Sequence, residues 1–417
     1  MFSRLALSLF LLPLASPAAD PPAPAPLTID QLVTQALDAN PEAAFYKSRI
    51  AIARSERRDA GRQQNPQLNT QLGTWSVKGI GDGPMWQAAV SQTFEWPGRL
   101  NLRKALADGQ IEIAELGLNG FRNALAAKVR SEAVSLTIAQ QQATAAAAAS
   151  DRIGNVVQVL IQRDPSGPAP LLESRILEAA MITLSREAAL ASRKVAESSV
   201  ELNLLRGSRP DAPLTISPTS PDLPAVPDIP SLLAAAENNN FDLRMRLLEL
   251  RQQGFAVSLA RNERGPAITV QPYVNSQRAG DQRETIAGLS VTVPLPLWNN
   301  GKAKVAAEDS RLQQARVSME VALRDVEKHV VSSRSAYAAL ATELSRWHPD
   351  SLAKFRNAAE QGDRHYQLGA IPVATYIELQ KSYLEALTAL LDTRAEALAA
   401  LLDLELLSGL SLVPASK

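Results

Sequence analysis

Residues 65–77 read NPQLNTQLGTWSV. Leu68, Thr70, Leu72 and Thr74 alternate with Gln67, Asn69, Gln71 and Gly73. This is a period of two, with one apolar and one polar face. It predicts a strand over Pro66 to Val77. A turn-rich loop, Lys78 to Pro84, follows, and a second strand is predicted over Trp86 to Trp96. The pair recurs further along the chain. Ile268, Val270 and Val274 alternate with Thr269, Gln271 and Asn275. After a loop centred on Ala279-Gly280-Asp281, a return strand is predicted with Leu289, Val291, Val293, Leu295 and Leu297 on one side.

The recurrence extends beyond the strands. Asn40-Pro41-Glu42 returns as Asn240-Phe241-Asp242, and Pro66-Gln67-Leu68 as Pro266-Ala267-Ile268. Gly98-Arg99 returns as Gly301-Lys302, Gly167-Pro168-Ala169-Pro170 as Gly369-Ala370-Ile371-Pro372, and Leu205-Arg206-Gly207 as Leu407-Ser408-Gly409. Five matches in one order, at nearly constant spacing, indicate a duplicated unit. The chain therefore divides into a first repeat, 19–208, a linker, 209–229, and a second repeat, 230–410. Arg209 to Pro230 holds seven prolines and reads as an extended connector.

Each repeat opens with a short helix, predicted over Thr28 to Gln63 and over Pro230 to Arg264. Each ends in a long helical hairpin. No proline interrupts Arg99 to Asp164. Its Ala, Leu, Gln, Glu and Arg favour helix, and a continuous one would run about 100 Å. Gly301 to Trp347 repeats the pattern, and Pro349 perturbs its later part. In the last helix Ile377, Leu384, Leu391 and Leu398 fall seven apart, with Leu387 and Leu401 beside them. That is a coiled-coil seam, interrupted at Arg394.

At the N-terminus Arg4, the apolar run Leu5 to Ala15 and Ser16-Pro17-Ala18 read as a secretory signal over residues 1–18. The run is short of the ~20 residues that a membrane-spanning helix needs. Among the 417 residues, 43 basic side chains balance 43 acidic ones, so nothing suggests a nucleic-acid partner. The chain has no cysteine, which excludes disulfides and thiolate metal sites. An exported chain with amphipathic strands and no apolar helix of spanning length points to a β-barrel. Four strands cannot close one, because a barrel needs about eight or more. Copies of the chain must complete it. Two would give eight strands, with an interior filled by side chains, and three would give twelve, with room for a pore; the long helices would form a second, α-helical barrel.

Leu27-Thr28, Asn40-Pro41-Glu42 and Asn65-Pro66-Gln67-Leu68 carry a resemblance to a known family. So do Ser91 to Arg99 (SQTFEWPGR) and Tyr366-Gln367-Leu368-Gly369. In order and duplication they resemble the TolC-like outer-membrane efflux proteins. The resemblance implies a mainly α fold with a small β part and a homotrimer with a twelve-stranded transmembrane barrel. It also implies a periplasmic tunnel, an adaptor (membrane fusion) protein, and a proton-driven inner-membrane pump of the RND type. Phe94 to Arg99 is similar to the heavy-metal branch, which exports cobalt, zinc, cadmium or copper. Drugs and type I protein secretion are alternative cargoes. Many relatives carry a lipid-modified N-terminal cysteine, which this chain lacks.

No catalytic or cofactor-binding constellation is visible. His329, His348 and His365 stand at no metal-ligand spacing, and Met85, Met181, Met245 and Met319 are scattered. The resemblance marks Tyr366, Gly369 and Pro372 as the turn at a periplasmic tip. It places Thr375 and Glu378 at two ring positions across the entrance, with Glu173 as the first-repeat counterpart. A ring of carboxylates would attract cations, whereas an isolated Glu378 would be an ordinary helix-surface residue. The tips, Gly167 to Pro170 and Gly369 to Pro372, are expected adaptor contacts, although turn chemistry alone also explains their glycines and prolines. Trp75, Trp86 and Trp96 suit either a membrane interface or strand packing. A periplasmic coiled-coil scaffold would explain the helices, but not two duplicated hairpins. A secreted helical enzyme would need a catalytic set.

Overall fold

The computed structural model describes residues 26–162, 168–217, 223–348 and 350–412. The signal segment and Gly167 lie outside these residues. Each repeat runs helix, helix, strand, strand, long helical hairpin. The first comprises α1 (Ile29–Ala39), α2 (Glu42–Ala60), β1 (Gln67–Val77), β2 (Gly81–Phe94), α3 (Arg99–Gln162) and α4 (Pro168–Leu205). The second comprises α5 (Ile229–Asn239), α6 (Phe241–Asn262), β3 (Ile268–Ala279), β4 (Gln282–Thr292), α7 (Lys302–Arg346), α8 (Ser351–Gln367) and α9 (Val373–Ser408).

The opening helix of each repeat is two helices, not one. Asn40 and Asn240 are the cause. Each adopts an extended ψ that ends the preceding helix. The Asn40 side chain then accepts from the Glu42 amide, and that of Asn240 from the Asp242 and Leu243 amides. Each Asn also donates Nδ2, at 3.0 Å, to the end of its repeat's last helix: Asn40 to the Leu205 carbonyl, Asn240 to that of Leu407. One side chain thus caps a new helix and clasps the hairpin's end. Gly207 and Gly409 follow at φ +67° and +66°, where a Cβ would strike Ala39 and Asn239.

The strands form one antiparallel sheet ordered β1-β2-β3-β4. The two hairpins meet at β2 and β3, leaving β1 and β4 as edges. β2 begins at Gly81 instead of Trp86, because the turn needs only Lys78 to Ile80. β4 ends at Thr292, short of the run expected to Leu297. Pro294 and Pro296 follow it, and proline donates no ladder hydrogen bond.

α3 is a single helix of 64 residues, whereas its counterpart is split into α7 and α8 around His348. Among the described residues no helix is long and apolar enough to cross a membrane. The helical cores are thin seams. Ile377, Leu384, Leu391, Leu398, Leu387 and Leu401 are all buried, as their heptad spacing predicts. Arg394 points out to solvent. The proline-rich connector straps the bundle. Leu27 bridges to Ile216, Tyr337 Oη donates to the Pro224 carbonyl at 2.5 Å, and Arg334 Nε donates to that of Pro227 at 3.1 Å.

Asn240→Ala is expected to cost about 1–2 kcal/mol, the range for losing a helix cap. Asn40→Ala should cost somewhat less, since its side chain accepts from one amide where Asn240 accepts from two. Denaturant midpoints in detergent measure both, and a silent pair of variants would remove the clasp as a stabilising element.

Candidate functional site

Cross-strand register sorts every strand residue onto one of two sheet faces. Leu68 pairs with Val90, Leu72 with Trp86, Ala88 with Val274 and Val270 with Val291. These share one face with Phe94, Ile268 and Leu289. The opposite face carries Gln67, Asn69, Gln71, Gln87, Ser91, Thr93, Gln271, Asn275 and Ser290. The apolar face is open: Leu72 is 84% and Leu289 63% exposed. The polar face is stitched by side chains. Asn69 Nδ2 donates to Ser91 Oγ (3.2 Å), the Thr93 and Thr269 hydroxyls lie 2.9 Å apart, and Gln277 Nε2 donates to Glu284 Oε2 (2.7 Å). An apolar exterior over a polar interior is the pattern of a sheet between lipid and a watery channel.

The three hairpin tryptophans separate. Trp86 stands on the apolar face, opposite Leu72 and next to the polar end of the hairpins. Trp75 lies on the polar face. Trp96 packs over the turn before β3, where a Cβ on Gly265 would come within 2.5 Å of its ring.

At the far end of the helices, the Tyr366-to-Gly369 motif is a helix-ending turn. The Gly369 amide donates to the Tyr366 carbonyl (2.9 Å), and the Ala370 amide to that of His365 (2.8 Å), with Gly369 at φ +69°. This pairing of bonds requires a left-handed residue, hence glycine. Pro372 then caps α9. Glu173, Tyr366, Gly369 and Pro372 line one cavity of about 570 Å³, so the two repeats' tips meet there. Pro170 belongs to the first turn of α4 and not to a loop. Thr375 and Glu378 are exposed on α9, away from this cavity, and Ser382 Oγ donates to Glu378 Oε1 at 3.4 Å.

Just behind the tip lies a polar cluster that the sequence did not announce. Tyr376 and Gln380, one turn apart on α9, are fully buried. Tyr376 Oη donates to Asp363 Oδ1 at 2.7 Å. Gln380 Nε2 donates to the same oxygen at 3.2 Å and to the Ala359 carbonyl at 2.8 Å. From α3, Arg152 reaches Asp363 (3.7 Å), Glu360 (3.5 Å) and Gln380 Oε1 (3.4 Å). Tyr366 stacks on Tyr376 with ring centroids 5.0 Å apart. Arg152 thus cross-links the first repeat's long helix to the second repeat's hairpin, as Arg130 to Glu405 and Gln142 to Asp392 do further along it. Burial first, and then the hydrogen bond to Asp363, raise the Tyr376 phenol above its ordinary value. Among the described residues no three His, Cys, Asp or Glu side chains group as metal ligands do.

The model of the outer membrane efflux protein family matches residues 232–410. That segment is the second repeat of the chain. The first half repeats its order of elements, and the TolC-like channel fold covers both. A membrane protein from Pseudomonas aeruginosa is 19% identical, with TM-score 0.74 over 91% of this chain and 90% of that one. CusC, described in connection with transmembrane channel formation, is 17% identical, with TM-score 0.71 over 91% of each chain. The open-state MtrE outer membrane channel of Neisseria gonorrhoeae is 17% identical, with TM-score 0.69 over 91% and 88%. At these identities the likeness is one of fold. A search of curated protein sequences finds no match. The outer membrane efflux proteins are outer-membrane channels with a periplasmic extension.

Tyr376 sets a pH dependence. A group whose value is raised on folding contributes stability that is complete below its unfolded value. That contribution is lost as pH rises towards the folded value. Stability should therefore fall above pH 10, the ordinary tyrosine value, more steeply in the wild type than in Tyr376→Phe. Parallel alkaline profiles of the two proteins would contradict the assignment.

Proposed function

We propose that the protein is the passive exit duct of a three-part export system. Three copies close a twelve-stranded barrel in the outer membrane, and their helices form a tunnel through the periplasm. A periplasmic adaptor docks at the tips and a proton-driven inner-membrane pump supplies the energy. The observation that carries this reading is the sheet itself. Its apolar face is exposed, its opposite face is polar, and among the described residues neither edge has a partner strand. In lipid such edges must be paired.

The tip supports a gate. Thr375 and Glu378 face away from the chain's own core, on the side of α9 open to neighbouring copies. Three Glu378 carboxylates around one axis would repel each other and draw cations. Arg152, bonded to Asp363, Glu360 and Gln380, would hold the second hairpin against the first and keep the tip narrow. The cavity at Glu173 and Tyr366 to Val373, with Leu368 exposed on its rim, suits an adaptor contact. For cargo we favour metal cations, on the likeness of Phe94 to Arg99 to the heavy-metal branch and the carboxylate at the entrance. Selection would then rest with the pump. A duct for drugs would share every feature of the barrel, and cargo export measured in cells with the partner pump separates the two.

Single-channel recording in a planar bilayer tests the reading. Discrete, cation-preferring steps are expected. Glu378→Ala should lower the cation preference, and Arg152→Ala should raise conductance or open time. Steps unchanged by either substitution would leave a duct without this gate, and a protein that needs no detergent for extraction would not be a duct at all.

A further inference from the structure

The duplication contains a template for the contact between copies. Within the chain, β2 of the first repeat pairs with β3 of the second. In a ring of copies the only junction left is β4 of one copy with β1 of the next, and it joins the equivalent strands. The shifts relating the repeats can be read from the hairpins. Gln71 pairs with Gln87 in the first, and Gln271 with Ser290 in the second. With β1 mapped onto β3 at 200 residues, as Pro66 maps onto Pro266, these pairs put β2 onto β4 at 203. Gly98 and Gly301, both at positive φ before the long helices, obey the second shift.

Moving the β2–β3 register by these amounts gives the missing junction. Ala88↔Val274 becomes Val291↔Thr74, and Ala89↔Tyr273 becomes Thr292↔Gly73. The pairing does not stop where β4 ends. Gln92↔Val270 becomes Leu295↔Thr70, and Phe94↔Ile268 becomes Leu297↔Leu68. We infer that residues 293–297 are a latent continuation of β4 that pairs with β1 of a second copy, Leu295 opposite Thr70 and Leu297 opposite Leu68. This rests on the assembled barrel proposed above and adds its register.

Three observations support it. Leu295 and Leu297 are each 72% exposed in the single chain and Leu68 is 70% exposed, an apolar surface that a partner strand and lipid would cover together. The transposed pairs keep face with face: Leu297 and Leu68 both fall on the apolar side, as Phe94 and Ile268 do. A one-residue slip would reverse this. The flanking contact also transposes. Arg99 Nη2 donates to the carbonyls of Asn262 (3.3 Å) and Gly265 (2.7 Å) across the in-chain junction. Its counterpart, the exposed Lys302, meets the carbonyls of Arg62 and Asn65 in the second copy. The Leu297 amide donates to the Leu295 carbonyl at 2.9 Å in the single chain, a local bond that strand pairing replaces.

Because the chain has no cysteine, a cross-link test is clean. Directly opposed residues have Cβ atoms about 5 Å apart, within reach of a disulfide after small adjustment. The full-length protein carrying Leu295→Cys and Thr70→Cys, oxidised in outer membranes, should give covalent dimers and trimers that reductant dissolves. Each single variant should give no ladder up to trimer, and Leu295→Cys with Leu72→Cys should link at least fivefold less. Sedimentation in detergent is read beside it. Trimers that link only through the Leu72 pair, or through neither, overturn the register while the assembly stands. Single-cysteine variants that sediment as monomers overturn the assembly and the register with it.

Discussion

Every N–H and C=O group on a strand in lipid needs a partner, and no water is present to stand in. In the proposed barrel that constraint would govern this chain. It builds four strands, pairs the inner edges of its two hairpins and leaves the outer edges of β1 and β4 without a partner strand. No rearrangement within one chain closes so small a sheet, because the curvature needed exceeds what four strands can bear. The apolar face adds a second demand, since Leu72 and Leu289 would be costly to leave in water. In the proposed duct, lipid would meet one demand and other copies the other. The sheet alone thus argues for an oligomer before any helix is considered.

In the proposed duct the helices would meet the complementary demand of a wall surrounded by water. Their cores are narrow seams instead of a globular interior, because each helix shares its apolar stripe with few neighbours. α9 shows the limit: one side carries the leucine seam and the other carries Thr375, Glu378 and Ser382. Small residues let such walls be thin, and buried Ala139, Ala146 and Ala149 lie along one run of α3. The equivalent bonds of Asn40 and Asn240 hold each hairpin to the shorter helices of its repeat. Duplication thus supplies two nearly equivalent staves per chain, and a ring of copies would need only one kind of junction repeated.

Much of this was legible in the sequence because period two, period seven and proline each have a direct physical meaning. Leu68 to Thr74 could be read as a strand, and Ile377 to Leu398 as a seam, from spacing alone. The boundaries were less legible. Asn40 ends one helix and starts another through a side-chain bond that propensity does not reveal. At the return strand, the apolar alternation through Leu297 outweighs Pro294 and Pro296 as a sequence signal, whereas in the single chain the prolines prevail. The polar cluster was missed for a different reason. Arg152 and Asp363 lie 211 positions apart, and only the packing of α3 on the second hairpin brings them together. A tyrosine and a glutamine one turn apart on a leucine-rich helix were the available signal.

The two hairpins are alike in plan but unlike mechanically. α3 runs unbroken for 64 residues, whereas its counterpart is interrupted between Arg346 and Ser351. An unbroken helix resists bending along its whole length, and a jointed one concentrates bending at the joint. Around the tunnel, stiff staves would alternate with hinged ones. Force arriving at the tips would then be unevenly shared: the α3 staves would bear it as columns, and the α8–α9 ends would swing. Such a wall would be a frame with its compliant members designated in advance.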